Sequence, residues 1–171
     1  LEHIRSLGAD ATAVEDITGY PSILGGRVKT LHPKIFGGIL GRRDVPGDIT
    51  DMEHWEIGPV DLVLVDLYPF SETVASGAPR ADVIEKIDIG GISLIRAAAK
   101  NYHDVVVVAD RSLYPEFLDL LQSQQCHTTL DNRAYFAAQA FKITSHYDTA
   151  IFNYFNRDVK LTTFSHSLLE T

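Results

Sequence analysis

The chain contains a single cysteine, Cys126, so no disulfide can close within it, and a reducing compartment such as the cytoplasm is expected. No apolar run approaches the ~20 residues that a membrane helix requires, and no signal peptide is visible at the start. Basic residues are scarce. Fifteen Lys and Arg stand against 23 Asp and Glu, a formal net charge of −8, which removes the broad basic footprint that nucleic-acid binding needs. The seven histidines are scattered and none pair at helical ligand spacing, so no metal site is expected.

What is present fits one globular domain. A length of 171 residues is enough to bury a sizeable core, and 45% hydrophobic with 22% charged residues is ordinary for such a chain. The positive charge is unevenly distributed. Five of the fifteen Lys and Arg (Arg27, Lys29, Lys34, Arg42 and Arg43) fall within Arg27–Arg43, which contains no acid. Such a cluster in an acidic protein suits a small anionic ligand, although a solvated surface loop satisfies the same pattern.

Periodicity divides the chain into alternating strands and helices. Leu1, Ile4 and Leu7 keep helical spacing and end at Gly8, the look of a helix whose start is missing. Ala11–Val14 reads as a short strand and Glu15–Leu24 as a turn-rich connection. Asp61–Val65 is a continuous apolar run that predicts a strand covered on both faces, ended by Tyr68-Pro69. Four valines within Asp104–Asp110 repeat that form, and a helical segment lies near Ala81–Lys86. Ser112, as N-cap, opens a helix to Gln122, with Pro115 tolerated in its first turn. Thr128 and Asp131 resemble a capping box ahead of a long helix over 131–155. Its apolar positions Phe136, Ala140, Ile143, Tyr147, Ile151 and Tyr154 keep 3–4 spacing. At roughly 35 Å this helix exceeds what a small core needs, so part of it faces either a second subunit or solvent. The pattern as a whole predicts an α/β domain of three layers with a mainly parallel sheet. Ligands in such sheets collect beyond the carboxyl ends of the strands.

The chemistry concentrates in Ile87–Asn101, where Asp88 precedes Gly90 and Gly91 and a strong helix former ends at Lys100. An acid, two glycines and a helix start make a backbone-lined pocket whose free N–H groups can face a polar ligand. A capped core helix with an exposed terminal lysine fits the same residues. Two further stretches stand in order before it: Gly26-Arg27-Val28-Lys29-Thr30-Leu31-His32-Pro33-Lys34 and Asp66-Leu67-Tyr68-Pro69-Phe70. Together the three resemble, in order and spacing, the IMP cyclohydrolase domain of the bifunctional AICAR transformylase/IMP cyclohydrolase family. The likeness runs from about Gly19 through Tyr154.

That resemblance implies a methylglyoxal-synthase-like fold over residues 1–158, without its N-terminal strand and phosphate-binding loops, and a linker over 159–171 toward an absent transformylase domain. It implies ring closure of formyl-AICAR (FAICAR) to the nucleotide IMP with loss of water, without cofactor or metal, in a homodimer. It puts Lys29, Tyr68, Asp88 and Lys100 in the catalytic site, with Arg27, Thr30, Asp66, Ile89 and Gly90 on the substrate. Lys100 is the candidate proton shuttle, kept neutral by the neighbouring cations Arg27 and Lys29. Asp88 orients it or accepts from the amide, while Tyr68 and Lys29 stabilise the oxyanion. His32 either lines the pocket or packs and donates one structural hydrogen bond. Asp66 stands where the family pattern has asparagine, so it accepts but cannot donate. Twelve residues separate Asp88 from Lys100, roughly 18 Å on a straight helix. A helix that folds back at Gly90-Gly91, contacts to different parts of the ligand, or a site shared between subunits would each reconcile them. The rival readings are an allosteric binding module of the same fold, methylglyoxal synthase itself, and an inactive fragment of the enzyme. The presence of Lys29, Tyr68, Asp88 and Lys100 together distinguishes the cyclohydrolase from the first, and the three motifs distinguish it from the second.

Overall fold

Two short runs of apolar residues, most of them β-branched, make the sheet. In the computed structural model of the chain, which describes residues 1–161, Leu62–Leu64 (β1) and Val106–Val108 (β2) pair in parallel. Leu62 stands opposite Val106, Val63 opposite Val107 and Leu64 opposite Val108. Parallel strands need a long crossover. Here it consists of Phe70–Ala75 (α5), Arg80–Ile84 (α6) and Gly90–Lys100 (α7). Before β1 come Glu2–Ser6 (α1), Val14–Thr18 (α2), Pro33–Leu40 (α3) and Pro46–His54 (α4); after β2 come Tyr114–Ser123 (α8) and Leu130–Val159 (α9). None of the described helices is long and apolar enough to cross a membrane.

The core forms where α7 meets the sheet. Ile95, Ala97, Ala98 and Ala99 are buried with Val63, Val105, Val107 and Ala109, and Ala137 and Ala140 of α9 close the cluster. Alanines here let two helices and a strand approach closely, while Ile95 contributes about 1.5–3 kcal/mol by its burial. On the other face of β2, Val106 and Val108 pack with Phe117 of α8 and Phe136 of α9. Those two rings meet edge to face at 5.5 Å. Helices therefore cover both faces of β2.

They do not cover both faces of β1, contrary to the expectation for Asp61–Val65. Val63 is 6% exposed, but Leu62 and Leu64 are 39% and 48% exposed. The register sets Leu62 and Leu64 beside Val106 and Val108, and the α8 cluster reaches only the β2 side.

Local signals explain most boundaries, and three expectations shift. Ala11–Val14 is not a strand. Ala13 is extended, but its carbonyl accepts from Asp16 and Ile17 N–H, so helix α2 begins at Val14 and ends at left-handed Gly19. Ser112 is not the cap of α8. It lies inside a 3₁₀ turn, Arg111–Leu113, capped by Asp110, whose Oδ1 accepts from Ser112 N–H at 2.8 Å. Pro115 does sit in the first turn of α8. The capping box of α9 falls one residue later than expected, on Thr129 and Asn132. Thr128 is occupied instead by Arg133, which donates to its carbonyl and its hydroxyl. The expected stripe on α9 is present: Phe136 and Ala140 are buried, and Ile143, Tyr147, Ile151 and Tyr154 are partly so. Helix α1 also appears, with Gly8 at φ +81° after it. Of the expected linker 159–171, Val159 is helical, and residues 162–171 lie outside the described residues.

Helix α3 runs beside α7 and holds its C-terminal end. At the far end, buried Asn101 donates through Nδ2 to the carbonyls of Ile39 (2.9 Å) and Gly41 (3.2 Å). At the near end, His32 caps α3, its Nδ1 accepting from Lys34 N–H at 3.2 Å. This is a structural hydrogen bond, but the ring accepts it instead of donating as expected, because Nδ1 faces a free N–H at the helix start.

Candidate functional site

Because β1 and β2 are parallel, both release the chain on the same side of the sheet. Asp66–Tyr68 after β1 and Ala109–Arg111 after β2 rim one cleft of about 650 Å³. Phe70 and Tyr147 also line it, their rings edge to face at 6.1 Å, as does His146. Asp66 and Tyr68 are thus brought to one cavity at the carboxyl ends of the strands, as the alternating pattern predicts.

Asp66 is held from the β2 side. Its Oδ2 accepts from the Tyr114 hydroxyl at 3.0 Å, and the Arg111 guanidinium lies 3.8 Å away. Burial raises the Tyr114 pKa, and the bond to Asp66 raises it further. The Ser112 hydrogen bonds hold the Asp110 carboxyl below its usual range. Tyr68 is 55% exposed, with the Lys86 ammonium 5.7 Å from its ring centroid.

Asp88 lies at the start of α7. Its Oδ1 accepts from Gly91 N–H at 2.6 Å, so the N–H expected to be free for a ligand is taken by the chain's own carboxylate. A Cβ on Gly91 would stand 2.5 Å from Asp88 Oδ2, so any larger residue there must push the carboxylate aside. Asp88 N–H donates to the Tyr147 hydroxyl at 2.8 Å, and that hydroxyl donates to the Lys86 carbonyl at 2.6 Å. Burial is the main cause that pushes the Tyr147 pKa up. Tyr147 lines the cleft, which joins Asp88 to the site of Asp66 and Tyr68. Ile89, next in the chain after Asp88, is 58% exposed. Thr30 reaches the same helix start, its Oγ1 3.1 Å from where a Gly90 Cβ would be.

The cations are placed differently from the expectation. Lys29 Nζ pairs with Glu15 at 3.0 Å, and Arg27 pairs with Glu85. The rest of the cluster is paired too: Lys34 with Glu56, Arg42 with Asp48, and Arg43 with Asp61. Every one of the five cations in the acid-free stretch Arg27–Arg43 meets an acid from another part of the chain. Lys100 does not join them. Helix α7 begins at Gly90 and does not fold back, which places exposed Lys100 about 15 Å along it. Arg27 and Lys29 flank the Thr30 end of α7, so they do not surround Lys100. The structure brings Asp66 and Tyr68 to one cleft and ties Asp88 to Tyr147 of its lining, while Thr30 meets Gly90 at the start of α7 and Lys100 stands at the far end of that helix. Tyr114 and Tyr147 were not singled out from the sequence as site residues. Tyr147 counts as apolar in a 3–4 stripe, and nothing local signals where its hydroxyl goes.

An open parallel α/β sheet with its polar groups gathered beyond the strand ends defines the class of domain. The chain belongs to the MGS-like domain family, whose pattern matches residues 1–93. Residues 98–170 match the AICARFT/IMPCHase bienzyme family. Among curated proteins, the bifunctional purine biosynthesis protein PurH of Bacteroides thetaiotaomicron is 63% identical over 155 residues, covering 91% of this chain and 31% of that protein. PurH of Limosilactobacillus reuteri is 45% identical over 170 residues, covering 96% and 33%. The chain thus spans about a third of the length of these relatives. A solved structure described as the crystal structure of ForH is 30% identical, with a TM-score of 0.72 over 91% of this chain and 80% of that one. The chain is homologous to one region of bifunctional purine biosynthesis proteins.

Proposed function

We propose that this chain is the IMP cyclohydrolase part of a bifunctional purine-biosynthesis enzyme, working in a cytoplasmic homodimer with a transformylase domain on its C-terminal side. The reaction is closure of FAICAR to IMP with loss of water. What supports this reading is a cleft at the carboxyl ends of the strands lined by Asp66 and Tyr68, with Asp88 hydrogen-bonded to Tyr147 of the same lining, in a chain 63% identical over 155 residues to a PurH protein.

The carboxamide nitrogen attacks the formyl carbon, a C–N bond forms, and the formyl oxygen takes the electron pair. The nitrogen gives up a proton, the oxygen gains one, and water leaves as the ring becomes aromatic. Both reacting groups belong to one molecule, so orienting them is a large share of the work. Asp88 engages Gly91 N–H through Oδ1, which leaves Oδ2 to accept a carboxamide N–H. Tyr68, exposed at the cleft rim, is the donor for the developing oxyanion. Thr30 and Asp66 bind flanking polar groups of the nucleotide, with Arg27 and Lys29 on the side of Thr30. Lys100, at the far end of α7, takes no part in this scheme.

The test is a spectrophotometric assay of IMP formation from FAICAR by the protein that carries this chain. Asp88→Asn and Tyr68→Phe are each expected to lower kcat by about 10²-fold or more, with smaller changes in KM. No IMP from the wild type, or near-normal kcat in both variants, would sink the proposal. Lys100→Ala is the third arm, and a kcat loss as large as that of Asp88→Asn would put the lysine back in the reaction.

A further inference from the structure

Asp88 is held by a residue that is far from it in sequence and has no role in the scheme above. Tyr147 is on α9, a helix of 30 residues anchored in the core through Phe136, Ala137 and Ala140. Its ring packs on buried Phe70, and its hydroxyl stands at the turn between α6 and α7. There it bridges two backbone groups, accepting from Asp88 N–H at 2.8 Å and donating to the Lys86 carbonyl at 2.6 Å. The one proton of that hydroxyl is committed to a carbonyl, so it is not free to donate to a substrate.

We infer that Tyr147 is a positioning residue, whose hydroxyl ties the Lys86–Asp88 turn to α9 and so sets where the Asp88 carboxylate stands. The Gly91 N–H holds one carboxylate oxygen from the helix side; Tyr147 holds the backbone of the same residue from the opposite side. The tether acts on Tyr68 as well. Lys86, whose carbonyl takes the Tyr147 proton, extends its ammonium to 5.7 Å from the Tyr68 ring centroid. One hydroxyl thus links the residue that accepts the carboxamide N–H to the one that donates to the oxyanion. This inference rests on the cyclohydrolase reading for its effect on turnover, though not for the tether itself.

Tyr147→Phe keeps the ring against Phe70 and removes only the hydroxyl. Amide hydrogen exchange, read residue by residue, and FAICAR kinetics are measured on the wild type and this variant. The expected result is about tenfold faster exchange at Asp88 N–H, with β2 amides unchanged. A fall in kcat of about 10- to 100-fold should accompany it, with KM moving much less. Unchanged Asp88 exchange would overturn the tether. Faster Asp88 exchange with unaltered kcat in an active enzyme would overturn the positioning role. Equal acceleration at Asp88 and in β2 would reduce Tyr147 to a general structural residue and overturn it also. The exchange arm is read without turnover. Faster exchange at Asp88 in a wild type that makes no IMP would leave the tether standing and overturn the cyclohydrolase reading instead.

Discussion

Gly91→Ala should act through the Asp88 carboxylate rather than through the helix it begins. A Cβ at this position would lie 2.5 Å from Asp88 Oδ2 and 2.9 Å from both Cγ and Oδ1. The carboxylate must then swing away, and the 2.6 Å bond from Gly91 N–H is lost. A hydrogen bond to a charged group is worth about 1.5–3 kcal/mol. Alanine recovers up to ~1 kcal/mol through helix propensity, less in a first turn. The net loss expected is about 1–2 kcal/mol, a fall of roughly 2–8 °C in Tm for a chain of this size. Gly90→Ala is the control, because its Cβ would meet only the rotatable Thr30 hydroxyl, at 3.1 Å; the shift should stay within about 0.5 kcal/mol. Thermal unfolding followed by circular dichroism gives the numbers, and a double-mutant cycle isolates the cause. With Asp88→Ala already in place, Gly91→Ala should be neutral or slightly stabilising. An equal loss in both backgrounds would refute the carboxylate argument.

Asn101→Leu should cost about 1–3 kcal/mol by urea unfolding, because it leaves the Ile39 and Gly41 carbonyls without their donor at a buried junction. An unchanged midpoint would mean that water replaces the amide. The Arg42 guanidinium and backbone N–H depress the folded pKa of Asp48 from 3.8 to about 2. A depressed carboxyl stabilises the fold when ionised, so this contribution is full well above pH 3.8 and disappears as the pH falls toward about 2. Asp48→Asn should therefore differ from wild type near neutrality and converge with it on acidification, as read by pH-dependent unfolding.

The sequence alone determined those features whose causes are local. Apolar runs rich in branched residues around Val63 and Val107 mark the two strands, and the helical segments between them argue for the parallel pairing that the structure shows. A 3–4 stripe from Phe136 to Tyr154 marks α9, and Asp88 before two glycines marks the start of α7. Three short motifs were enough to indicate the family, because order and spacing along a chain survive without coordinates. Tertiary structure decided which groups meet. Arg27–Arg43 reads as unbalanced positive charge, yet the folded chain pairs it with Glu85, Glu15, Glu56, Asp48 and Asp61. Leu62 and Leu64 look like core and are exposed, since only a partner's position tells which face of a strand is covered. Asp88 and Lys100 share one motif and lie at opposite ends of one helix, whereas Asp88 and Tyr147, 59 residues apart, share a hydrogen bond. Backbone conformation follows from neighbours within a few residues, so periodicity reveals it. A side chain's partner depends on how the crossover brings distant segments to the same end of the sheet, and no local pattern encodes that.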